Sequence, residues 1–306
     1  MLALPAPLSD SYRGRFAPSP TGPLHFGSLV AALGSYLDAR AHNGRWLVRI
    51  EDIDTPRNIA GAADDILRTL EIFGFQWDEA ILRQSDRLDA YAGALEQLRR
   101  QGDAYGCACS RKEIADSSTR SAIDGGMVYP GTCRGGVAKS AVRAWRMRVD
   151  TSETGFDDRL QGWIGQILER DVGDFVLLRA DGLYAYQLTV VVDDAFQGIT
   201  HIVRGADLIA STPRQIWLQQ RLGLPTPIYA HLPVATNAAG EKLSKQTLAR
   251  ALDCCRPAAE LTRALAFLGQ RPPAGSERMD LAELWNWSLT HWRFAEIPRR
   301  LAIVAA

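Results

Sequence analysis

The sequence has 306 residues, 46% hydrophobic and 23% charged, with 35 basic side chains balancing 35 acidic ones. This allows one large domain plus a small one, or two domains, and gives no net field for capturing a polyanion, although a local basic face stays open. Transmembrane length is reached by no apolar run, Pro5 and Pro7 break the N-terminus too early for a signal peptide, and five cysteines in a chain this long point to reduced thiols and a cytoplasmic protein.

The first organised stretch is Arg13 to Leu29. Arg15-Phe16-Ala17 reads as the end of a strand, and Pro18, Pro20, Gly22 and Pro23 forbid regular structure after it. From Leu24 the pattern turns helical, with Leu29, Val30, Leu33, Tyr36 and Leu37 at helix-compatible spacings and Gly44 as the stop after Asn43. A strand entering a helix through such a loop suits an anion, because unpaired N–H groups and the helix dipole both favour negative charge. His25 sits at that first turn, and Gly27 lets a flat ligand approach the backbone. The stretch is neither a Walker loop nor a GxGxxG fingerprint, so an ordinary strand–turn–helix with an exposed His remains an alternative.

Arg45 to Ile50 alternates like a strand and runs into Glu51-Asp52-Ile53-Asp54, acidic residues where open α/β sheets bind ligands, although taken alone they fit a solvated, helix-capping acidic turn better. A helix is expected over about Ala60 to Phe73. Ser85-Asp86 is expected to cap another, with Leu88, Tyr91, Ala92, Leu95 and Leu98 as its stripe. The alternation of helix and strand predicts a parallel-sheet α/β fold.

From Tyr105 the texture changes. Cys107, Cys109 and Cys133 fall within 27 positions among Gly and Pro, like a zinc knuckle inserted in the sheet. No histidine lies near, so Tyr129 is the best local oxygen donor; three unliganded thiols are the alternative. Between Arg111 and Arg148, eight basic side chains face three acidic ones, which suits either a phosphate backbone or a solvated basic face.

Asp174 to Arg179 and Tyr184 to Val192 read as strands joined through Asp181-Gly182, the second ending in Asp193-Asp194. Thr200 to Gly205 reads as a strand ending in a cation, Ser211-Thr212-Pro213 as a helix start, and Tyr229 to Val234 as a strand. Lys242 and Lys245 flank Ser244 in a polar loop that suits either a phosphate clamp or plain surface. From Pro257 the pattern is helical, with stripes Leu261, Leu265, Leu268 and Leu281, Leu284, Trp285, Leu289. Cys254 and Cys255 are assigned a buried or inert role.

Taken in order, Arg15-Phe16-Ala17-Pro18-Ser19-Pro20-Thr21-Gly22, His25-Phe26-Gly27-Ser28, Arg49-Ile50-Glu51-Asp52-Ile53-Asp54 and Lys242-Leu243-Ser244-Lys245-Gln246 resemble the class I aminoacyl-tRNA synthetases of the glutamyl type. His-Phe-Gly-Ser is similar to the family's His-Ile-Gly-His element, with Ser28 in place of the second His. Lys-Leu-Ser-Lys-Gln is similar to its Lys-Met-Ser-Lys-Ser loop, with Leu243 and Gln246 in place of Met and Ser. After Gln246 only 60 residues remain, too few for the family's anticodon-binding domain. The Cys107-x-Cys109 … Tyr129-x-x-x-Cys133 pattern also matches the shortened relatives, the glutamyl-Q tRNA(Asp) synthetases.

The resemblance implies a Rossmann-type catalytic domain in halves 1–104 and 151–235, an inserted zinc-binding subdomain at 105–150, and at 236–306 a lysine loop with a small helical, stem-contact-like domain. It implies tRNA-independent activation of L-glutamate by ATP, then transfer to queuosine at the wobble position of tRNA(Asp). It further implies that Arg15 and Arg204 pair with glutamate's carboxylates, Glu51 holds the ammonium, and Tyr186 and Ser19 line the amino-acid pocket. His25 and Lys245 would be catalytic, and His25, Gly27, Ser28, Lys242, Ser244 and Lys245 would bind ATP. Mg²⁺ would accompany ATP, a structural zinc would sit on Cys107, Cys109, Tyr129 and Cys133, and the protein would be a cytoplasmic monomer. The alternatives are a shortened glutamyl-tRNA synthetase charging a 3′ end, and an inactive paralogue serving as a binding module.

Overall fold

Two β–α–β crossovers position everything that follows. The computed structural model describes residues 11–118, 120–123, 125–243 and 250–305. In the first crossover β1 (Arg13–Phe16) lies parallel to β2 (Arg45–Ile50), with α1 (Phe26–Ala41) between them in sequence. α2 (Ala62–Ile72) then leads to β3 (Leu82–Arg83), which extends the sheet parallel to β2. After α3 (Leu88–Gln101) comes a different fabric: β4 (Ala104–Cys107), α4 (Arg111–Ser117), β5 (Ala144–Met147), the hairpin of β6 (Glu153–Asp158) and β7 (Gly162–Ile167), the short α5 (Leu168–Asp171) and β8 (Val176–Leu178). β4, β5 and β8 make an antiparallel sheet.

α6 (Tyr186–Phe196) precedes the second crossover, in which β9 (His201–Gly205) and β10 (Ile228–Leu232) run parallel around α7 (Thr212–Leu222). The two crossovers meet at Thr200, whose N–H donates to the Arg13 carbonyl (3.0 Å) and whose hydroxyl accepts from the Arg13 N–H (2.8 Å). β1 and β9 are thereby neighbours, and the carboxyl ends of the parallel strands share one edge. β11 (Val234–Thr236), α8 (Pro257–Phe267), α9 (Leu281–His291) and β12 (Ala302–Val304) complete the chain, with β12 parallel to β11.

α1 is the hub. Leu29, Leu33 and Leu37 are almost wholly buried, and so are Ala32 and Ala39 on its other sides. A helix apolar nearly all round must be covered on both faces. Here the strands cover one face and α8 and α9 the other, with Phe26 edge-on to Phe267 at 5.6 Å. Each fully buried Leu contributes about 1.5–3 kcal/mol. Gly34 permits the contact with β10, since a Cβ there would sit 2.5 Å from Leu232 Cδ1.

Several expectations need correction. Tyr186 to Val192 is the start of α6, not a strand; only Val176–Leu178 of the preceding run is extended, although Leu178 and Tyr184 do pair across the Asp181-Gly182 turn. Leu188, Val190, Val191 and Val192 are all buried, and a short apolar run buried all round has no period that separates strand from helix. Ser85 does not cap α3: its N–H and hydroxyl bind Asp52 instead. The buried stripe of α3 is Tyr91, Ala94, Leu95 and Leu98, with Leu88 and Ala92 exposed, and Leu289 likewise leaves the α9 stripe. Cys254 and Cys255 are exposed, which rules out a buried role. Among the described residues no helix is long and apolar enough to cross a membrane.

Candidate active site

A cleft of about 500 Å³ opens at the carboxyl ends of the parallel strands. Arg15 from β1, Glu51 just after β2, Tyr186 from the first turn of α6 and Arg204 from β9 line it, together with Ser19, His25, Gly27, Ser28 and Lys242. Every sequence-predicted residue of the amino-acid and nucleotide sets that falls within the described residues is thus in one cavity. Ser244, Lys245 and Gln246 lie outside the described residues. The chain on either side of them lies against the His25 turn: Leu243 lines the cleft, and Leu252 donates its N–H to the Leu24 carbonyl (3.1 Å) beside a His25–Ala251 bridge.

His25 is the N-cap of α1. Its Nδ1 accepts from the Ser28 N–H at 3.3 Å, which fixes the ring across the helix start. Gly27 leaves the face beside that ring open, because a Cβ there would come within 3.2 Å of His25 Cε1 and 3.5 Å of the Leu243 carbonyl. Lys242 Nζ reaches Asp207 Oδ2 at 2.5 Å, a partner that sequence spacing gave no reason to expect.

The floor is a buried ionic chain. Arg15 donates from Nε to Asp194 Oδ1 (3.0 Å) and from Nη2 to Oδ2 (3.3 Å), leaving Nη1 for the cleft. Arg49, fully buried, contacts Asp194 Oδ1 (2.8 Å) and Gln197 Oε1 (2.9 Å) through Nη1, and Glu51 Oε1 (3.1 Å) through Nη2. Two guanidinium groups therefore balance two carboxylates. Burial pushes the Asp194 carboxyl up, but the charges of Arg15 and Arg49 outweigh it and hold that group below the usual range. For Glu51 burial wins over the same two cations, and its carboxyl is raised. Asp193, the other half of the acidic pair, points elsewhere: it accepts from Gln84 (3.0 Å), Arg87 (2.6 Å) and Tyr91 (2.7 Å).

Arg204 differs from the other cations. It donates from Nε to His231 Nε2 (3.1 Å), from Nη2 to Thr212 Oγ1 and Gln215 Oε1 (both 2.8 Å), and from Nη1 to the Tyr186 hydroxyl (3.3 Å). Burial, and the Arg204 charge, pull His231 down to about 4 against Asp158, so this imidazole is neutral at neutral pH. Among the described residues, then, all hydrogen-bond partners of Arg204 are uncharged, although the group is only 5% exposed. A buried guanidinium so placed calls for an anion from outside.

A second cluster holds Cys107, Cys109 and Cys133, whose sulfurs all lie within 4.8 Å of one another. Cys109 and Cys133 Sγ are 3.5 Å apart, and the Tyr129 hydroxyl is 3.4 Å from Cys107 Sγ and 3.7 Å from Cys109 Sγ. A tetrahedron with zinc–sulfur arms of about 2.3 Å has edges of about 3.8 Å, so this donor set has the size for a zinc ion. Burial pushes Cys133 up, but hydrogen bonds from Tyr129 and from the Ala108 N–H outweigh it and bring that thiol to about 7. Three of the eight basic residues serve this module rather than solvent. Arg134 pairs with Asp174 and Glu169, Arg146 lies over the Tyr129 ring at 4.0 Å, and Arg148 lies over Tyr105. Arg111, Lys112, Arg120, Lys139 and Arg143 stay exposed.

Residues 11–284 match the family model for the catalytic domain of class I tRNA synthetases, E and Q. The chain belongs to this family. As a class I synthetase of the E and Q type it is 66% identical over 298 residues to a protein of Dechloromonas aromatica named glutamyl-Q tRNA(Asp) synthetase, covering 97% of this chain and 99% of that one. It is 58% identical to the protein of that name from Aromatoleum aromaticum, over 95% of this chain and 91% of the other. Among solved structures, the glutamate-tRNA synthetase of Elizabethkingia anophelis superposes with a TM-score of 0.78 at 25% identity, covering 96% of this chain and 68% of that one. The class I parallel-sheet α/β fold expected from the sequence is thereby confirmed. Synthetase-type motifs were legible in the sequence; the supporting contacts of Asp194 with Arg15 and Arg49, and of His231 with Arg204, were not, because these partners are distant in the chain.

Proposed function

We infer that this protein activates glutamate with ATP, without tRNA, and transfers the glutamyl group to queuosine at the wobble position of tRNA(Asp). It is an enzyme of the ligase type. The amino-acid assignment is carried by Arg204, a buried cation with only uncharged partners, which favours a carboxylate over the amide of glutamine. The acceptor assignment is supported by likeness over nearly the whole chain to proteins named for that reaction.

In this reading Arg204 Nη1 and the Tyr186 hydroxyl bind the side-chain carboxylate, Arg15 Nη1 the other carboxylate, and Glu51 the ammonium, with Ser19 closing the loop side. ATP lies over Gly27 and Ser28. The glutamate α-carboxylate attacks the α-phosphorus, the bond to the bridging oxygen breaks, and pyrophosphate leaves. His25 and the start of α1 stabilise charge on the α-phosphate, while Lys242, Ser244 and Lys245 meet the departing pyrophosphate. Lys242 must exchange Asp207 for phosphate to do so. Mg²⁺ bound with ATP would supply charge neutralisation at the phosphates.

Glu51 gives this reading a pH signature. Its carboxyl is raised by burial, so on acidification it protonates before an ordinary glutamate would and loses its attraction for an ammonium group. The KM for glutamate should therefore climb on the acid side at a pH above the usual carboxylate range. A KM flat down to that range would remove Glu51 from its role.

Zinc on Cys107, Cys109, Cys133 and Tyr129 would be structural, fastening β4 to the Cys133 turn. Purified protein should carry about one zinc per chain, and Cys133→Ser should release it and lower the unfolding temperature. Stable, metal-free protein would favour plain thiols.

The decisive assay is transfer of labelled glutamate to tRNA(Asp). Acceptance should require queuosine and survive removal of the 3′-terminal adenosine. Glutamate found on the 3′ end of a tRNA(Glu) would instead make this a shortened charging enzyme.

A further inference from the structure

The orientation of Arg204 depends on a proton inside the imidazole behind it. We propose that Asp158 and His231 are positioning residues, which aim Arg204 into the cleft by holding His231 in the Nδ1–H tautomer. This rests on the reading of Arg204 as the partner of glutamate's side-chain carboxylate.

Hydrogen-bond accounting leaves one arrangement. A guanidinium Nε can only donate, so His231 Nε2, 3.1 Å away, must be the unprotonated acceptor. The ring proton is then on Nδ1, which donates to Asp158 Oδ2 at 2.6 Å. Asp158 Oδ1 is already taken by three backbone N–H groups, those of Leu160 (3.0 Å), Gln161 (2.9 Å) and His231 itself (3.2 Å). Thr212 Oγ1 accepts from Arg204 Nη2, and with the single Nε2 lone pair occupied its own proton goes to the Leu208 carbonyl (3.3 Å). Asp158 and His231 are 4% and 0% exposed, so water supplies no alternative partner. The opposite tautomer could point its proton at Thr212 Oγ1, 3.2 Å from Nε2, but it would set donor against donor at Arg204 and acceptor against acceptor at Asp158. With Nε and Nη2 fixed, the guanidinium plane is fixed, and so is the direction of Nη1. The β6–β7 hairpin, which lines none of the cleft, supplies Asp158 and thus reaches the amino-acid pocket through His231.

Asp158→Asn tests this. The three N–H groups keep an oxygen at the Oδ1 position, so the amide NH₂ must face Nδ1 and drive the ring proton to Nε2, against Arg204. In tRNA-independent ATP–pyrophosphate exchange the KM for glutamate should rise about tenfold or more while the KM for ATP stays within about twofold, and preference for glutamate over glutamine should fall with it. The ¹⁵N spectrum of His231 should show the protonated nitrogen change from Nδ1 to Nε2. His231→Gln, which can keep an acceptor for Arg204, should hold the glutamate KM within about threefold. His231→Asn, which can keep the Asp158 contact but not that acceptor, should behave like Asp158→Asn. General loss of stability would separate neither the two KM values nor the two amides. The proposal is overturned if wild-type His231 carries its proton on Nε2, if Gln and Asn behave alike, or if Asp158→Asn leaves the glutamate KM unchanged while replacing Arg204 raises it. If replacing Arg204 itself leaves that KM unchanged, the glutamate reading fails first, and the ¹⁵N spectrum still judges the tautomer.

Discussion

Asp194→Ala should lower folding stability by about 3–5 kcal/mol and abolish amino-acid activation with it. Asp194 is the shared counter-ion of two guanidinium groups, Arg15 at 4% and Arg49 at 0% exposure, and neither has a second partner able to replace it fully. Removing one carboxylate leaves a buried excess of positive charge and frees Arg15 to turn. The sign of the pH dependence follows from the direction of the shift. The Asp194 carboxyl lies below its ordinary range when folded, because Arg15 and Arg49 outweigh the effect of burial. Its stabilisation is therefore fully present above the unfolded-state value and is lost only as the pH falls through the lower, folded one. The stability gap between wild type and variant, from urea unfolding, should be constant near neutrality and close only in strong acid. A gap below about 1 kcal/mol, the range of exposed ion pairs, would show that the pair is not buried in solution.

Arg204→Gln should raise the KM for glutamate about thirtyfold, roughly 2 kcal/mol, the range for hydrogen bonds to charged groups. Glutamine ends at the level of Arg204 Nε, so it can still donate to His231 while giving up the Nη contacts to Tyr186, Thr212 and Gln215 together with the charge. The KM for ATP should stay unchanged, and the preference for glutamate over glutamine should narrow. A parallel rise of both KM values would mean that Arg204 supports the cleft as a whole rather than reading a carboxylate.

How much of this was legible in the sequence depended on how local each signal was. The loop from Pro18 to Pro23 and the helix beginning at Phe26 were readable because Pro and Gly mark the boundaries directly. Glu51 was readable because it directly follows the strand β2. Tyr186 fell into the right cleft for the wrong structural reason: the apolar run after it reads as a strand but folds as the buried helix α6. On a helix Asp193 and Asp194 diverge, one to Arg87 and Tyr91, the other to Arg15 and Arg49, and only the second supports the cleft. Asp158 and His231, 73 positions apart, had no local signal at all, since each looks like an ordinary polar residue until the β6–β7 hairpin meets β10. In the basic stretch from Arg111 to Arg148 the spacing does not separate the five exposed side chains from Arg134, Arg146 and Arg148, which turn onto Asp174, Tyr129 and Tyr105.

The central claim is that one cleft selects glutamate and joins it to AMP before any RNA arrives. Pyrophosphate exchange into ATP, measured with purified protein, Mg²⁺ and no tRNA, tests it most directly. The account predicts exchange with glutamate and little with glutamine. Exchange that appears only after tRNA is added, or that proceeds equally well with glutamine, would contradict it.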